Sequence, residues 1–296
     1  MADGVLRRCL GRCMLAAALA LPAAPPVVAA PPAPLQVLLL DSLAVDLPGH
    51  GRRNRLELSD LAWDPASGDV WAVSDRGWLH RLQVEIEHGR LVAVQELSRV
   101  LLDGRPNLEA LALRPGAVPL LAIDEERRLW LEIDRVGKVV AWHALPQALP
   151  THAGHSVEAM AWHQRHGVLL VAQKSGSTGE HRILTTTGAD WRLPALPGAQ
   201  VRAMGWMADG RLLLLEQRRA DGQVSFHLRA TSLEGCGIGG RCDSSDVALP
   251  VSGTAAVDHL EGLACRGTQC LLVTDDGGAA PARTRLVLLE LVTGAR

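Results

Sequence analysis

The sequence predicts an all-β protein that folds as a β-propeller with five blades. The first observation is a phrase of six residues that recurs five times, beginning at Leu58, Leu108, Val157, Val201 and Leu260. The second is that each phrase precedes a turn and further short apolar runs, which is the pattern of β-strands. Repeats of about 40 to 50 residues, each with three or four strands, are typical of propeller blades.

The two ends of the chain predict how the ring closes. Residues 35–47 form a strand-like run before the first repeat, and the last repeat ends near Thr293 without a fourth strand. Pairing of the N-terminal run into the final blade would close the ring and protect both edge strands. A sixth, degenerate blade over residues 230–258 remains open, because these residues lengthen the last step between phrases.

The first residues have the layout of a secretory signal. Arg7, Arg8 and Arg12 precede an apolar run over residues 14–24, which small residues and prolines follow. This run is well short of the roughly twenty residues that a membrane-spanning helix needs. We therefore predict a signal peptide over residues 1–29, no stable membrane span, and a single propeller domain over residues 30–296.

Charge and cysteine content narrow the function classes. The formal net charge of −2 disfavours a nucleic-acid partner, because phosphate contacts need a surplus of Lys and Arg.

Cys236 and Cys242 bracket a glycine-rich loop, and Cys265 and Cys270 bracket a short hairpin. We predict these two local disulfides rather than a zinc site formed by all four cysteines, because the spacing does not match zinc motifs. Such bonds persist in oxidising compartments, in agreement with a periplasmic or secreted protein.

Propeller geometry predicts where polar side chains converge. The innermost strand of each blade starts at one rim of the central channel, and the antiparallel second strand ends at the same rim. The first-strand starts are Ser59, Glu109, Glu158, Arg202 and Glu261, and the second-strand ends are Asp75, Asp124, Lys174, Glu216 and Asp275. Seven of these residues are acidic, so we expect an acidic channel mouth whose carboxylates repel one another unless cations or arginines compensate them.

Three interpretations of this mouth remain open from the residues alone. Carboxylate and carbonyl oxygens could bind a divalent cation, with Ca²⁺ as the first candidate. Paired carboxyl groups could act as acid and base, while Arg76, Lys174 and Arg202 bind an anionic group of the substrate. The repeated acids could instead bond backbone N–H groups of the next blade and only stabilise the fold.

Three tryptophans also share one position in the recurring phrase. Trp63, Trp162 and Trp206 each end their phrase. Aromatic side chains at a repeated position predict packing between blades rather than a ligand-binding platform.

The phrases carry a family resemblance. Residues 58–77, Leu-Ser-Asp-Leu-Ala-Trp-Asp-Pro-Ala-Ser-Gly-Asp-Val-Trp-Ala-Val-Ser-Asp-Arg-Gly, resemble the opening of the bacterial "esterase-like activity of phytase" family. Asn-Leu-Glu-Ala-Leu-Ala-Leu at 107–113 and Leu-Glu-Gly-Leu-Ala at 260–264 are similar to its recurring Glu-Gly-Leu-Ala phrases. The resemblance covers roughly residues 36–293. It implies a secreted β-propeller that hydrolyses phosphate or carboxylic esters.

The same phrases are similar to gluconolactonase and regucalcin-like propellers, which hold a divalent metal with a Glu at a first-strand start. That likeness implies Glu109 or Glu261 as the matching ligand. Two positions depart from a symmetric acidic ring, because repeat three has Lys174 and repeat four has Arg202 where other repeats have acids.

We therefore expect an exported hydrolase of small anionic esters or phosphoesters that is assisted by a divalent cation. The cation would polarise the ester oxygen and lower the pKa of an attacking water. The expected catalytic residues are Glu109, Asp75, Arg76 and Lys174, and the expected metal ligands are Glu109, Glu158, Glu261, Asp124 and Asp275. The alternative is a non-enzymatic periplasmic binding propeller that uses exposed loops such as residues 175–180 or 220–223.

Overall fold

The computed structural model describes residues 35–47, 56–114, 116, 119–149, 157–172, 179–250, 259–275 and 284–293. The predicted signal peptide and Lys174 lie outside the described residues. Within the described ranges the chain forms β-strands, and no helix there is long and apolar enough to cross a membrane.

The strands divide into five antiparallel sheets of four strands each. In chain order they are β1 (Leu35–Ala44), β2 (Leu58–Trp63), β3 (Val70–Ser74), β4 (Trp78–Glu87), β5 (Arg90–Leu101), β6 (Leu108–Leu113), β7 (Leu120–Asp124), β8 (Leu129–Ile133), β9 (Val139–Ala144), β10 (Met160–His163), β11 (Gly167–Ala172), β12 (Glu180–Thr185), β13 (Asp190–Pro194), β14 (Ala199–Trp206), β15 (Leu212–Ala220), β16 (Gln223–Thr231), β17 (Ser244–Ala248), β18 (Leu260–Arg266), β19 (Gln269–Thr274) and β20 (Arg285–Thr293).

The sheets form a ring of five blades. Four blades are consecutive in sequence, with the orders β2-β3-β4-β5, β6-β7-β8-β9, β10-β11-β12-β13 and β14-β15-β16-β17. The innermost strands contact one another in the cyclic order β2, β6, β10, β14, β18 and back to β2. This confirms the five-bladed propeller.

The N-terminal strand closes the ring, as predicted. The fifth blade has the order β18-β19-β20-β1, and β1 pairs antiparallel with β20 from Leu35 opposite Thr293 to Ala44 opposite Arg285. The Arg285 Nε donates to Ser42 Oγ at 2.9 Å across this pair. The first and last segments of the propeller therefore complete one sheet, which leaves neither of them as an isolated strand.

The residues that lengthen the interval between the fourth and fifth phrases do not form a sixth blade. Part of this segment covers an edge strand of the third blade. Cys236 and Cys242 form a disulfide, and their loop lies along β13, the outer strand of the third blade. Arg192 N donates to Gly240 O at 3.0 Å, and Cys242 N donates to Arg192 O at 2.8 Å. The loop thereby satisfies backbone groups on an edge that would otherwise be open to another chain. The second predicted disulfide is also present, since Cys265 lies opposite Cys270 and is bonded to it.

The hydrophobic core consists of layers between neighbouring blades. Each of five buried clusters combines residues of two adjacent sheets. Between the first and second blades, for example, Trp71 and Leu79 pack with Leu111 and Leu131. Every blade is thus held on two sides, and the innermost strands are fixed relative to one another around the channel.

Candidate active site

In four of the five blades a β-bulge in the innermost strand turns one side chain towards the channel. The residue skipped in the pairing is Ser59 in β2, Glu109 in β6, Arg202 in β14 and Glu261 in β18. Glu158 takes the corresponding position just before β10. A bulge leaves its extra residue outside the ladder and re-aims its side chain. The predicted first-strand residues therefore do come together at one end of the channel.

The second strands supply the other residues of the mouth. In two blades the residue that reaches the mouth lies one position further along the chain than predicted. Asp75 and Asp275 each follow the last paired residue of their strand, and their N–H groups bond Glu57 O and His259 O. In the second blade the equivalent residue is Glu125, whose N–H bonds Asn107 O at 3.0 Å. We call the following residues the acidic mouth: Ser59, Asp75, Glu109, Glu125, Glu158, Arg202, Gln217, Glu261 and Asp275.

Asp124 and Glu216 were predicted to face the mouth but do not. They lie directly opposite Leu108 and Val201, the first residues of their phrases, in the strand pairing. Asp124 lies opposite Leu108 in the ladder, is fully buried, and accepts a 2.6 Å bond from Arg127 Nη1. Glu216 is likewise buried and contacts Arg229 Nη2 at 3.1 Å and His181 Nε2 at 3.0 Å. Neighbouring residues of a strand point to opposite faces, so a slip of one residue removes a side chain from the mouth. Gln217 replaces Glu216 there.

Arg76 is held by a neighbour outside the mouth. Its Nε and Nη2 donate to the two carboxylate oxygens of Glu57 at 2.5 and 2.7 Å. This bidentate pair orients the guanidinium on the rim, where its side chain is about half exposed. The predicted role of Arg76 in binding a substrate anion would require it to leave or share Glu57.

The carboxyl groups of the mouth form contacts of two kinds. Ser59 Oγ donates a short hydrogen bond to Asp75 Oδ1, and Glu109 lies close enough to Asp75 and Glu125 for their negative charges to act on it. A carboxyl group that is crowded by like charges holds its proton more strongly. Glu109 is therefore the crowded carboxyl group of the mouth, whereas Asp75 accepts a hydrogen bond from a hydroxyl group.

Burial and crowding separate the proton affinities of these groups. Loss of solvation raises the pKa of Glu109 to about 9, and the neighbouring charge of Asp75 adds to this effect. Desolvation also raises the pKa of Glu261 to about 7 and that of Asp75 to about 6. At neutral pH the mouth therefore holds a protonated Glu109 beside an ionised Asp75.

Arg202 and Gln217 form the polar side of the mouth. Arg202 Nη1 donates to Glu158 and lies 3.4 Å from Glu261 Oε2, and its Nη2 donates to Gln217 Oε1 at 2.8 Å. Gln217 is 2% exposed, and its Nε2 has no hydrogen-bond partner among the described residues. Arginine in place of an acid at position 202 thus compensates the negative charges of Glu158 and Glu261.

These contacts do not make a ready ligand set for the predicted cation. Ca²⁺ takes about six to eight oxygen ligands around one point. In the described part of the chain, no three His, Cys, Asp or Glu side chains are grouped as metal ligands. The carboxyl groups of the mouth would have to leave their present hydrogen-bond and ion-pair partners to surround a cation. The cation therefore stays a prediction.

Asp60, which the sequence analysis did not single out, closes the channel below the mouth. It is fully buried; its Oδ1 accepts from Leu61 N at 2.8 Å and Leu263 N at 3.1 Å, and its Oδ2 accepts from Leu111 N at 2.8 Å. Leu263 and Leu111 belong to β18 and β6, the innermost strands on either side of β2. Desolvation raises the pKa of Asp60 well above its usual value, although the three backbone hydrogen bonds oppose this rise.

The sequence does contain a signal for Asp60. Its position in the recurring phrase is taken by small residues in the other repeats, and each of them is buried. These residues are Ala110, Ala159, Ala203 and Gly262. We call this layer the waist. Of the three interpretations drawn from sequence, the structural one, an acid bonded to backbone N–H groups of the next blade, fits Asp60.

We expect Gly262→Ala to destabilise the propeller at the waist. A Cβ on Gly262 would lie 2.7 Å from Asp60 Cα and 2.7 Å from Val273 Cγ1. Because one of these atoms is backbone, we expect an overpacking cost of about 1–3 kcal/mol, measured by denaturant unfolding. Gly205→Ala is the matched control, since its Cβ would meet Leu263 at an ordinary 3.6 Å. Equal stability of the two variants would contradict the tight waist.

The chain matches one protein-family model. The model is described as phytase-like, esterase-like activity of phytase, and it matches residues 56–278. These residues include the whole acidic mouth. No curated protein sequence matches the chain.

Solved structures with similar folds share little sequence with the chain. The PQQ-bound aldose sugar dehydrogenase of Streptomyces coelicolor aligns with a TM-score of 0.49 and 18% identity, covering 89% of this chain and 100% of that one. A member of the DUF4221 family from Bacteroides vulgatus aligns with 0.47 and 8% over 88% and 99% of the two chains. The Pan2 WD40 domain of Neurospora crassa aligns with 0.41 and 10% over 88% and 96%.

Proposed function

This chain belongs to the phytase-like family, esterase-like activity of phytase, and on that basis we propose that it hydrolyses esters at the acidic mouth. The observation that carries the proposal is the unequal protonation of two neighbouring carboxyl groups. Glu109, with its pKa at about 9, is an acid at neutral pH, and Asp75, with its pKa at about 6, is a base. Pairs of carboxyl groups whose environments push their pKa values apart are the usual basis of acid–base catalysis.

In the proposed reaction a water molecule attacks the ester carbonyl. Asp75 takes a proton from the water as the new C–O bond forms. Glu109 gives its proton to the leaving alkoxide as the old C–O bond breaks, and the products are a carboxylic acid and an alcohol. Ser59 is 3% exposed and bonded to Asp75, so we assign it the orientation of the base. Proton transfer then returns Glu109 and Asp75 to their starting states.

Charge favours carboxylic esters over phosphate esters as substrates. The mouth has six carboxyl groups and one guanidinium, and Arg76 is paired with Glu57. A phosphate dianion would meet repulsion there unless a cation accompanied it. The anionic substrate predicted from the sequence is thus the less favoured candidate, and comparing an alkyl carboxylic ester with an alkyl phosphate tests this choice.

The pH dependence of ester hydrolysis tests the acid–base pair. Asp75 must be ionised, so we expect kcat/KM to rise as the pH passes about 6, and Glu109 must be protonated, so we expect it to fall as the pH passes about 9. The two limbs report the pair and not single residues. Ethyl butyrate hydrolysis, followed by titration of the released acid, measures this profile. A rate that only follows hydroxide, or that is equal in Glu109→Gln, would contradict the proposal and favour the binding propeller.

A cation that assists this reaction remains part of the proposal to be tested. A ligand that binds only the folded state raises the melting temperature with its concentration. If Ca²⁺ binds at the mouth, the Tm rises saturably, and Glu261→Ala removes the rise. If Tm is unchanged in Ca²⁺, Mg²⁺, Mn²⁺ and Zn²⁺, the carboxyl groups act without a metal.

We also propose an exported location, in the periplasm or outside the cell. The two disulfides are compatible with an oxidising compartment. The secretory layout of residues 1–29 supports the same location.

A further inference from the structure

A cavity lies on the other side of the waist from the acidic mouth. It is lined by the residues that come directly after the waist in all five innermost strands, and its volume is about 510 Å³. Its walls include Trp63, Leu113, Trp162, Met204 and Trp206. We call it the lower cavity. The waist residues are buried between it and the acidic mouth, so the two sites open at opposite ends.

The indole rings of the lower cavity offer apolar surface. Trp63 Nε1 donates to Gly68 O at 3.0 Å, and Trp206 Nε1 donates to Trp162 O at 2.7 Å. Because these N–H groups are already bonded, the two rings contribute only carbon surface to a ligand. The tryptophans therefore pack between blades, as predicted from the sequence, and also line a cavity, which was not predicted.

A wall of this composition is a poor site for water. A buried water needs two to four polar partners, and apolar cavities of this kind favour apolar guests. The volume falls within the range of about 300–1,000 Å³ that small-molecule sites occupy, most of which are apolar with a few polar groups. The lower cavity thus matches an apolar ligand body.

Arg114 and Arg135 line the lower cavity, and Arg266 lies beside its Trp63 wall. Arg114 is paired with Glu132, and Arg135 is paired with Asp64. Arg266 stacks over the Trp63 ring, with its guanidinium carbon 4.2 Å from the ring centroid. Arg266 makes no ion pair with any residue of the described ranges, so among these three guanidiniums it is the one whose charge no carboxylate there balances.

We propose that the lower cavity binds a medium-chain acyl carboxylate, with the acyl chain between the tryptophans and the carboxylate at Arg266. The apolar walls select the chain, and the unbalanced positive charge of Arg266 beside Trp63 selects an anionic end over a neutral one. This proposal is independent of ester hydrolysis at the acidic mouth, because the waist separates the two sites.

Titration of the full chain with sodium decanoate tests the proposal. We expect saturable heat and a saturable change in tryptophan emission with one decanoate per chain. Decanol is the neutral comparison and is expected to bind more weakly. Arg266→Glu should weaken decanoate binding about fivefold or more while leaving decanol binding unchanged. Arg90→Glu, an exposed charge reversal on the β4–β5 hairpin, is the matched control and should bind as the natural chain does.

A second variant tests the cavity itself. Leu113→Trp adds bulk at a partly exposed wall residue and is expected to abolish binding of both ligands while ester hydrolysis persists. The proposal is overturned if decanoate gives no saturable signal, or if a folded Leu113→Trp chain binds it normally. It is also overturned if Arg266→Glu and Arg90→Glu bind decanoate equally, a result that does not require Leu113→Trp to fold.

Discussion

Glu109→Gln is expected to lower kcat/KM for ethyl butyrate by about 100- to 10,000-fold, the usual contribution of a positioned acid or base. Glutamine keeps the size of the side chain but has no acidic proton to give to an alkoxide. A p-nitrophenyl ester releases a stable phenoxide that needs little acid assistance. The same variant should therefore lose much less activity on p-nitrophenyl butyrate, and the ratio of the two losses measures the role of Glu109 as an acid.

The same substitution should stabilise the fold at alkaline pH. The folded state raises the pKa of Glu109 from 4.5 to about 9. Between these two pH values the side chain ionises in the unfolded chain but not in the folded one, which favours unfolding. Stability attributable to this group is full below pH 4.5 and is lost as the pH rises towards 9. Glutamine does not titrate, so the Tm of Glu109→Gln should exceed that of the natural chain at pH 8 and approach it at pH 4.

Glu87→Gln is the matched control for both measurements. Glu87 is exposed on the β4–β5 hairpin, so its replacement should change neither activity nor Tm. Loss of activity together with a higher Tm is the signature of a residue kept for chemistry at a cost in stability. A Glu109→Gln chain that is less stable at pH 8, or equally active on ethyl butyrate, would show that Glu109 is a structural residue.

Asp60→Ala is expected to cost about 3 kcal/mol or more of unfolding free energy. The change leaves the N–H groups of Leu61, Leu111 and Leu263 buried without their acceptor, and each such group costs about 1–3 kcal/mol. The removal of a costly buried carboxylate offsets part of this sum. Because the three N–H groups belong to three neighbouring innermost strands, the loss should appear as a lower midpoint of the whole cooperative transition.

Two further variants separate the causes of this loss. Asp60→Asn keeps one acceptor oxygen but points an amide donor at a backbone donor, so it should lie between the natural chain and Asp60→Ala. Asp103→Ala removes an exposed aspartate from a loop and should be neutral. A cost below about 1 kcal/mol for Asp60→Ala, which is typical of ordinary substitutions, would mean that the waist does not hold the ring together.

The architecture could be predicted because its signals are local and repeated. Apolar runs bounded by turn residues predict strands one at a time, and the fivefold recurrence of a phrase such as Leu58–Trp63 multiplies that evidence. The missing fourth strand of the last repeat predicts the pairing of β1 with β20. The cysteine pairs were predictable for the same reason, since each closes only a few residues of chain.

The members of the acidic mouth were only partly predictable. Glu109 and Glu261 lie at a fixed place in the phrase, and the bulge that turns them inward occurs at that place in four of the five blades. The second strands lack such a marker. Asp124 and Glu125 are both acidic, and only the register opposite Leu108 decides which of them faces the mouth, because side-chain direction alternates with each residue.

The sequence by itself thus predicted the propeller with five blades favoured over six, the closure of the ring, the two local disulfides and the first-strand side of the mouth. Only the tertiary structure decided between five and six blades and revealed the crowding that raises the pKa of Glu109, the role of Asp60 and the lower cavity. The physical reason is the range of the interactions involved. Strand formation depends on neighbouring residues, whereas a raised pKa, a bridge between β18 and β6 and a cavity between five strands depend on groups that only the closed ring brings together.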